Sequence, residues 1–268
     1  MIHISSSIVL AQAGETINAN NPRIGYRSIV TASNVSADEE ADDEPVTNLA
    51  NPATYLYWRG TSTSAQAVTV SLEAAADVDY FAIAKHNLGS TGATVAFQSS
   101  ADGETWTTIE TIEPSSDYAL IVEFDSVTAQ FYRLSITPGT EPPAIAVLYI
   151  GEILVLQRRL FVNHTPLVYG RKTTVSSGMS ESGQFLGRVV RRQLYSSSVT
   201  MGNLTSAWYR SHLDPFFEAA RTKPYFWAWR PAQYPHEVGF AWMNGDPSMT
   251  NQRANGMIQI EFSMSGVR

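Results

Sequence analysis

Apolar and polar residues alternate with a period of two along most of this chain. From Tyr55 to Ile153 the runs AVTVSLE, VDYFAIAKHNL, TVAFQSS, TWTTIETI, YALIVEF, QFYRLSITP and IAVLYIGEILVL follow one another, separated by turn signals. Such spacing predicts an antiparallel sandwich, because alternate side chains of a strand point to opposite faces of its sheet. The segment SADGETW, residues 100–106, joins two of these runs. Glycine takes a positive φ without steric cost, so Asp102-Gly103 reads as a hairpin turn.

Past Gln157 the strand pattern resumes in LFVNHTPLVYG, KTTVSSGMS, GQFLGRVVRRQLYSSSVTMG and GMIQIEFSMSG. The strongest helical signal is LTSAWYRSHLDPFFEAARTKP. Thr205 can cap a first turn, Asp214-Pro215 offers a second start, and Lys223-Pro224 stops the run. Leu204, Trp208, Phe216, Phe217 and Ala220 fit its buried face. The predicted class is mainly β: an antiparallel sandwich over 20–156 and a second β-rich domain over 157–268 with one short helical segment. Residues 1–19 read as a short strand and a loop. They are expected to join the C-terminal domain, which would make the sandwich an insertion.

Charge divides the chain. Residues 1–150 carry 5 basic and 18 acidic side chains, net −13, and residues 151–268 carry 13 and 7, net +6. Opposite signs suggest two modules that dock on each other or on neighbours through complementary fields. Asp38 to Glu44 holds six acids in seven residues. It reads as a solvated loop; it lacks the spacing and the glycine of a calcium-binding EF-hand loop. The basic half contains no nucleic-acid motif. No apolar run approaches the roughly 20 residues of a membrane span. The start of the chain has no basic segment before its short apolar stretch, so no export signal is expected, and NVS, NHT and NLT read as chance sequons. With no cysteine, disulfides and thiolate metal sites are excluded.

Catalytic signatures are absent. SSGMSESG places Gly178 and Ser180 wrongly for a nucleophile elbow, and His236-Glu237 has no second histidine one turn on. His3, His86, His164, His212 and His236 are scattered, with no two at metal-ligand spacing. Asp77, Asp79, Glu104, Glu110, Glu113, Asp117 and Glu123 fall near turns or on alternating faces and are expected to be solvated. The chain reads as no enzyme, with no cofactor and no metal. Sugar binding asks for an aromatic platform beside amides and charges. Tyr57, Trp58, Arg59, His86, Asn87 and Trp106, with Tyr55 beside them, supply those types. The alternatives are that Trp58 and Trp106 pack in the core or beneath loops, and that His86-Asn87-Leu88-Gly89 is only a strand exit.

The ordered set PVTNLANPATYLYWRG, AVTVSLEAAADVDYFAIAKHNLGSTGATVAFQSSADGETWTTI, FYRLSITP and YIGEILV resembles a galactose-binding-like, discoidin-type jelly roll. In that pattern Trp58 closes the first segment, VTVSL is the strand after it, and the SxDGxxW hairpin comes later. AKHNLGSTGATV resembles the version in tail proteins of tailed bacteriophages. GRVVRRQL, WYRSHLDPFFEAARTKPYFWAWRP and EVGFAW resemble the core of tail-tip (distal tail or baseplate) proteins. The resemblance implies a structural virion protein of a long-tailed phage, assembled in the bacterial host cytoplasm. It would form a homo-oligomeric ring with tube, hub and tape-measure partners, its jelly roll contacting host-surface glycan. The alternatives are a carbohydrate-binding accessory module without a virion role and, third, a hydrolase.

Overall fold

The computed structural model describes residues 1–11, 18–160, 164–252 and 256–268. The chain opens with β1 (Ile2–Ile4), α1 (Ser6–Ala11), β2 (Arg23–Gly25) and β3 (Val35–Ala37). The sandwich continues through β4 (Trp58–Arg59), β5 (Gln66–His86), α2 (Leu88–Thr91), β6 (Thr94–Ser100), β7 (Thr107–Ile112), β8 (Leu120–Thr137) and β9 (Ala144–Gly151). Then follow β10 (Leu154–Val155), β11 (Arg171–Met179), β12 (Phe185–Thr205), a helix α3 (206–220), β13 (Tyr225–Ala228), β14 (Val238–Met243), β15 (Ser248–Asn251) and β16 (Met257–Val267). The architecture is mainly β and antiparallel, as the alternation predicts.

Two long strands build the jelly roll. β5 and β8 pair over Gln66–Ser71 with Phe131–Ile136, break register, and pair again over Tyr80–Ile83 with Leu120–Glu123. One leaf therefore runs β3–β5–β8–β6–β7 through the first pairing. The other runs β4–β9–β5–β8–β1 through the second. Val68, Val70, Phe81, Ile83, Val95, Phe97, Tyr132, Leu134, Ile145 and Ile150 meet between the leaves.

The second sheet has the order β10–β2–β13–β14–β16–β12–β11, with β15 paired to β16. Its entry point differs from the expectation. The strand within 1–19 pairs instead with the jelly roll, parallel to β8 (Ile2 opposite Ile121). It is Arg23–Gly25 that enters the second sheet, beside β13 and β10. Residues 26–153 thus leave and rejoin that sheet on neighbouring strands.

The two sheets meet face to face. Tyr80, Ala82, Ala84, Ala146, Val147 and Tyr149 leave the outer face of the second leaf and pack on Phe226, Ala228, Val238 and Phe240. β5 and β9 are consequently covered on both sides, which is why YFAIA and AIAVLYIG lose their polar alternates. Glu123, expected to be solvated, lies in this seam because β8 turns it toward β2. It is 3% exposed and accepts a 2.8 Å hydrogen bond from Arg23 Nε.

The far side of the second sheet is closed by α3, which buries Tyr209, Leu213, Phe216, Phe217 and Ala220. An α-helical stretch starts at Asp214 with Pro215 in its first turn, as the sequence suggests; it follows directly on a π-turn at Tyr209–Leu213, and a proline there gives up no intrahelical hydrogen bond of the new start. The Thr205 side chain does not cap; its hydroxyl accepts from Gln157 Nε2 at 3.1 Å.

The acidic segment is held by its own carboxylates. Asp38 accepts the Ala67 amide at 2.8 Å, Glu40 accepts that of Val46 at 2.8 Å, Glu39 accepts from Thr61 and Ser62, and Glu44 pairs with Arg59. Asp42 and Asp43 are exposed.

Candidate functional site

Five of the six predicted sugar-binding residues converge around one rung of the second leaf. Trp58 lies opposite Ile145 on β9, and His86 lies opposite the same residue on β5. Trp58 is fully buried and its indole N–H donates to the Glu39 carbonyl at 2.9 Å. His86 is 6% exposed. Its Nδ1 accepts the Leu88 amide at 3.2 Å, which leaves the proton on Nε2, 3.0 Å from the Tyr118 carbonyl. Burial pushes its pKa down to about 4, so the ring is neutral.

Asn87 spans a loop: Nδ2 donates to the Pro142 carbonyl at 2.9 Å, and Oδ1 accepts the Ala144 amide at 2.8 Å. Arg59 is tied to Glu44, whose hydrogen bond raises its pKa. Tyr57 is half-buried against the seam. For Trp58, His86 and Asn87, then, the packing and strand-exit readings describe the geometry: their polar atoms are consumed within the fold.

Trp106 stands apart, beside the first leaf. The chain reaches it through the Asp102-Gly103 turn. There Asp102 Oδ1 accepts the amides of Glu104 (2.9 Å) and Thr105 (2.8 Å), and Gly103 takes φ +78°. Those bonds draw the Asp102 pKa down to about 2. The turn is structural, and it delivers Trp106 to an open sheet face.

On that face the Arg133 guanidinium lies 4.0 Å from the Trp106 ring centroid. Its Nε donates to Gln98 Oε1 at 2.6 Å, and Gln98 Nε2 donates on to Thr108 Oγ1 at 2.9 Å. The register explains the alignment: Thr69, Arg133, Gln98 and Thr108 occupy one rung across β5, β8, β6 and β7. Their neighbours Val68, Val70, Tyr132, Leu134 and Phe97 point inward, so this rung points outward. Arg133, Gln98 and Trp106 are half-buried and Thr108 is exposed. Partial burial lowers the Arg133 pKa, opposed by Asp38 nearby. Among the described residues its two terminal amino groups have no hydrogen-bond partner. The strip therefore offers an aromatic surface, fixed amide and hydroxyl groups, and unspent cationic donors, which is the chemistry of polyol recognition.

Sequence reasoning named only Trp106 of this set. Gln98 and Arg133 carry a signal in AFQSS and YRL, where a long polar side chain interrupts inward apolar residues. The register that puts them side by side has no local signal.

A concavity lies where the sheets join. Tyr26, Arg27, Asp79, Glu152, Ser211 and His212 line a cleft of about 330 Å³. Asp79 accepts the Ile153 amide at 2.7 Å; burial, with Glu123 and Glu152 adding, raises its pKa to about 7. Among the described residues no three His, Asp or Glu side chains gather as a metal site.

No curated protein matches. Of the solved structures that match, one is "CpGH89CBM32-5" from Clostridium perfringens, in complex with GalNAc-β-1,3-galactose. It is 15% identical, with 44% of this chain and 94% of that chain covered, at a TM-score of 0.41. Another is the chitosan-binding module 1 derived from the chitosanase/glucanase of Paenibacillus sp. IK-5, at 14% identity, 47% and 99% coverage and a TM-score of 0.41. A third is CBM32-3 from a family 31 glycoside hydrolase of Clostridium perfringens, at 17% identity, 46% and 94% coverage and a TM-score of 0.39. The jelly roll itself, over residues 29–148, matches the family model of the F5/8 type C domain.

Proposed function

We propose that this chain is a carbohydrate-binding protein that acts by recognition without catalysis, and that its jelly roll takes a pyranose ring at the Trp106–Arg133–Gln98–Thr108 strip. The observation that carries this reading is the Arg133–Gln98–Thr108 relay held against a half-buried tryptophan, on the open leaf of a domain matching F5/8 type C. The C–H face of a sugar stacks on the exposed part of the indole, and its hydroxyls take the free amino groups of Arg133. Because the relay is fixed before ligand arrives, little side-chain entropy is lost on binding. The strong negative charge of residues 1–150 disfavours polyanionic glycans, so the preferred ligand is a neutral sugar.

A tail-tip role, with a virion location and tube, hub and tape-measure partners, draws no support from these matches and is not carried into the reading. A glycan array with the full chain tests the proposal. Retention of specific glycans by the wild type and their loss in Trp106→Ala, with unchanged circular dichroism, supports it. Identical array profiles for the two proteins refute it.

A further inference from the structure

The second sheet ends in an arm. β12 pairs with β16 only from Tyr195 onward, so its residues 185–194 pair with β11 alone. These ten residues span about 33 Å as a two-stranded ribbon. Both faces are open: Met179 (69% exposed), Phe185 (68%) and Leu186 (68%) form an apolar tip, with Val189 and Val190 behind it. Among the described residues the outer edge of β11 has no neighbouring strand. A ribbon of this kind gains little stability in water by itself, and an uncovered apolar tip on an open edge is what a protein contact covers. The shaft is cationic. Arg171, Lys172, Arg188, Arg191 and Arg192 stand against Glu181 alone, net +4 over 171–194. Among the described residues none of these five cations forms an ion pair.

The complement lies on the same polypeptide. In the acidic segment Asp38, Glu39, Glu40 and Glu44 are spent on internal bonds that rigidify it, and Asp42 and Asp43 are left exposed, with no side-chain partner among the described residues. We propose that the hairpin 171–194 of one molecule seats on the acidic segment 38–44 of a second copy of this chain. Arm-to-arm pairing is disfavoured, because a two-fold contact would set the arginines of one arm against those of the other. Since arm and acceptor are different surfaces, each molecule offers one of each, and the contact propagates head to tail. This inference does not rest on the sugar-binding reading: its acceptor carboxylates are Asp42 and Asp43, outside the strip, and its test uses no glycan.

Sedimentation velocity of the full chain over a range of concentration, at low and high salt, tests it. The wild type is expected to self-associate, less so as salt screens the contact. Arg188→Glu/Arg191→Glu/Arg192→Glu and Asp42→Lys/Asp43→Lys each weaken association at least about tenfold while melting like the wild type. Mixing the two charge-reversed proteins restores association, because the reversed arm of one then meets the reversed acceptor of the other. A wild type that stays monomeric at all concentrations overturns the proposal. So does association that neither folded variant weakens, or a mixture that fails to recombine.

Discussion

The buried Arg23–Glu123 pair bridges the jelly roll and the second sheet, and neither charge can lose the other cheaply. Its 2.8 Å separation, with side chains 0% and 4% exposed, gives about 6 kcal/mol of gross attraction at an effective dielectric of about 20. Desolvation of both groups offsets most of that gain, so the pair adds little net stability. Removing one partner is another matter. Glu123→Leu leaves the Arg23 guanidinium in the seam, with the Asn18 and Asn21 carbonyls among its remaining acceptors. The expected cost is about 3–5 kcal/mol, as for other buried pairs broken on one side. That is a large share of the 5–15 kcal/mol that typically holds a domain folded. Arg23→Met should cost a similar amount, and Arg23→Met/Glu123→Leu should recover most of the loss, because no charge is stranded. Urea unfolding followed by tryptophan fluorescence gives the double-mutant cycle. Since the pair bridges β2 and β8, each single variant should also separate the transitions of the two sheets. Single-variant losses below about 1 kcal/mol, or strictly additive ones, would refute this account of the seam.

Three further outcomes follow from the same geometry. Trp58→Ala should destabilise the jelly roll by about 3–5 kcal/mol in thermal or urea unfolding, whereas Trp106→Ala should leave stability near that of the wild type. His86 is held neutral, with its folded pKa lowered to about 4 from 6.5. Its contribution is therefore present above pH 6.5 and lost as pH falls toward 4, a swing of about 3 kcal/mol that His86→Gln should flatten in a pH series of unfolding curves. Asp79 behaves in the opposite sense, because its folded pKa is raised from 3.8 to about 7. Its carboxyl destabilises the fold as pH rises through 7, so Asp79→Asn should gain on the order of 2–4 kcal/mol at pH 8 and almost nothing at pH 4 in the same assay.

Much of the architecture is legible in the residues because each leaf has an inward and an outward face. The alternation in AVTVSLE and FYRLSIT marks both, and the Asp-Gly turn marks the hairpin between β6 and β7. The continuous apolar runs YFAIA and AIAVLYIG also carry information: a strand without polar alternates is covered twice, here by the second sheet. What the residues do not display is register. Nothing local says that β1 pairs with β8 while Arg23–Gly25 crosses to the other sheet, or that Glu123 turns inward to meet an arginine 100 positions away. The same limit shaped the candidate site. His86 and Asn87 have side chains suited to a sugar, yet the loops at Tyr118 and Pro142 consume their hydrogen bonds. The strip beside Trp106 exists only once three strands align Arg133, Gln98 and Thr108.

If a sugar sits on this strip, its protons and those of the strip must feel each other. A two-dimensional NMR titration of the full chain, isotopically labelled, with a neutral sugar retained in the glycan screen tests this most directly, because it reports where the ligand lands. The indole N–H of Trp106, the Nε–H of Arg133 and the side-chain amide of Gln98 should shift together and saturate, while the buried Trp58 indole stays fixed. Saturating shifts confined to the Tyr55–Arg59 loop or to the cleft at Asp79, with Trp106 unmoved, would contradict binding at the strip.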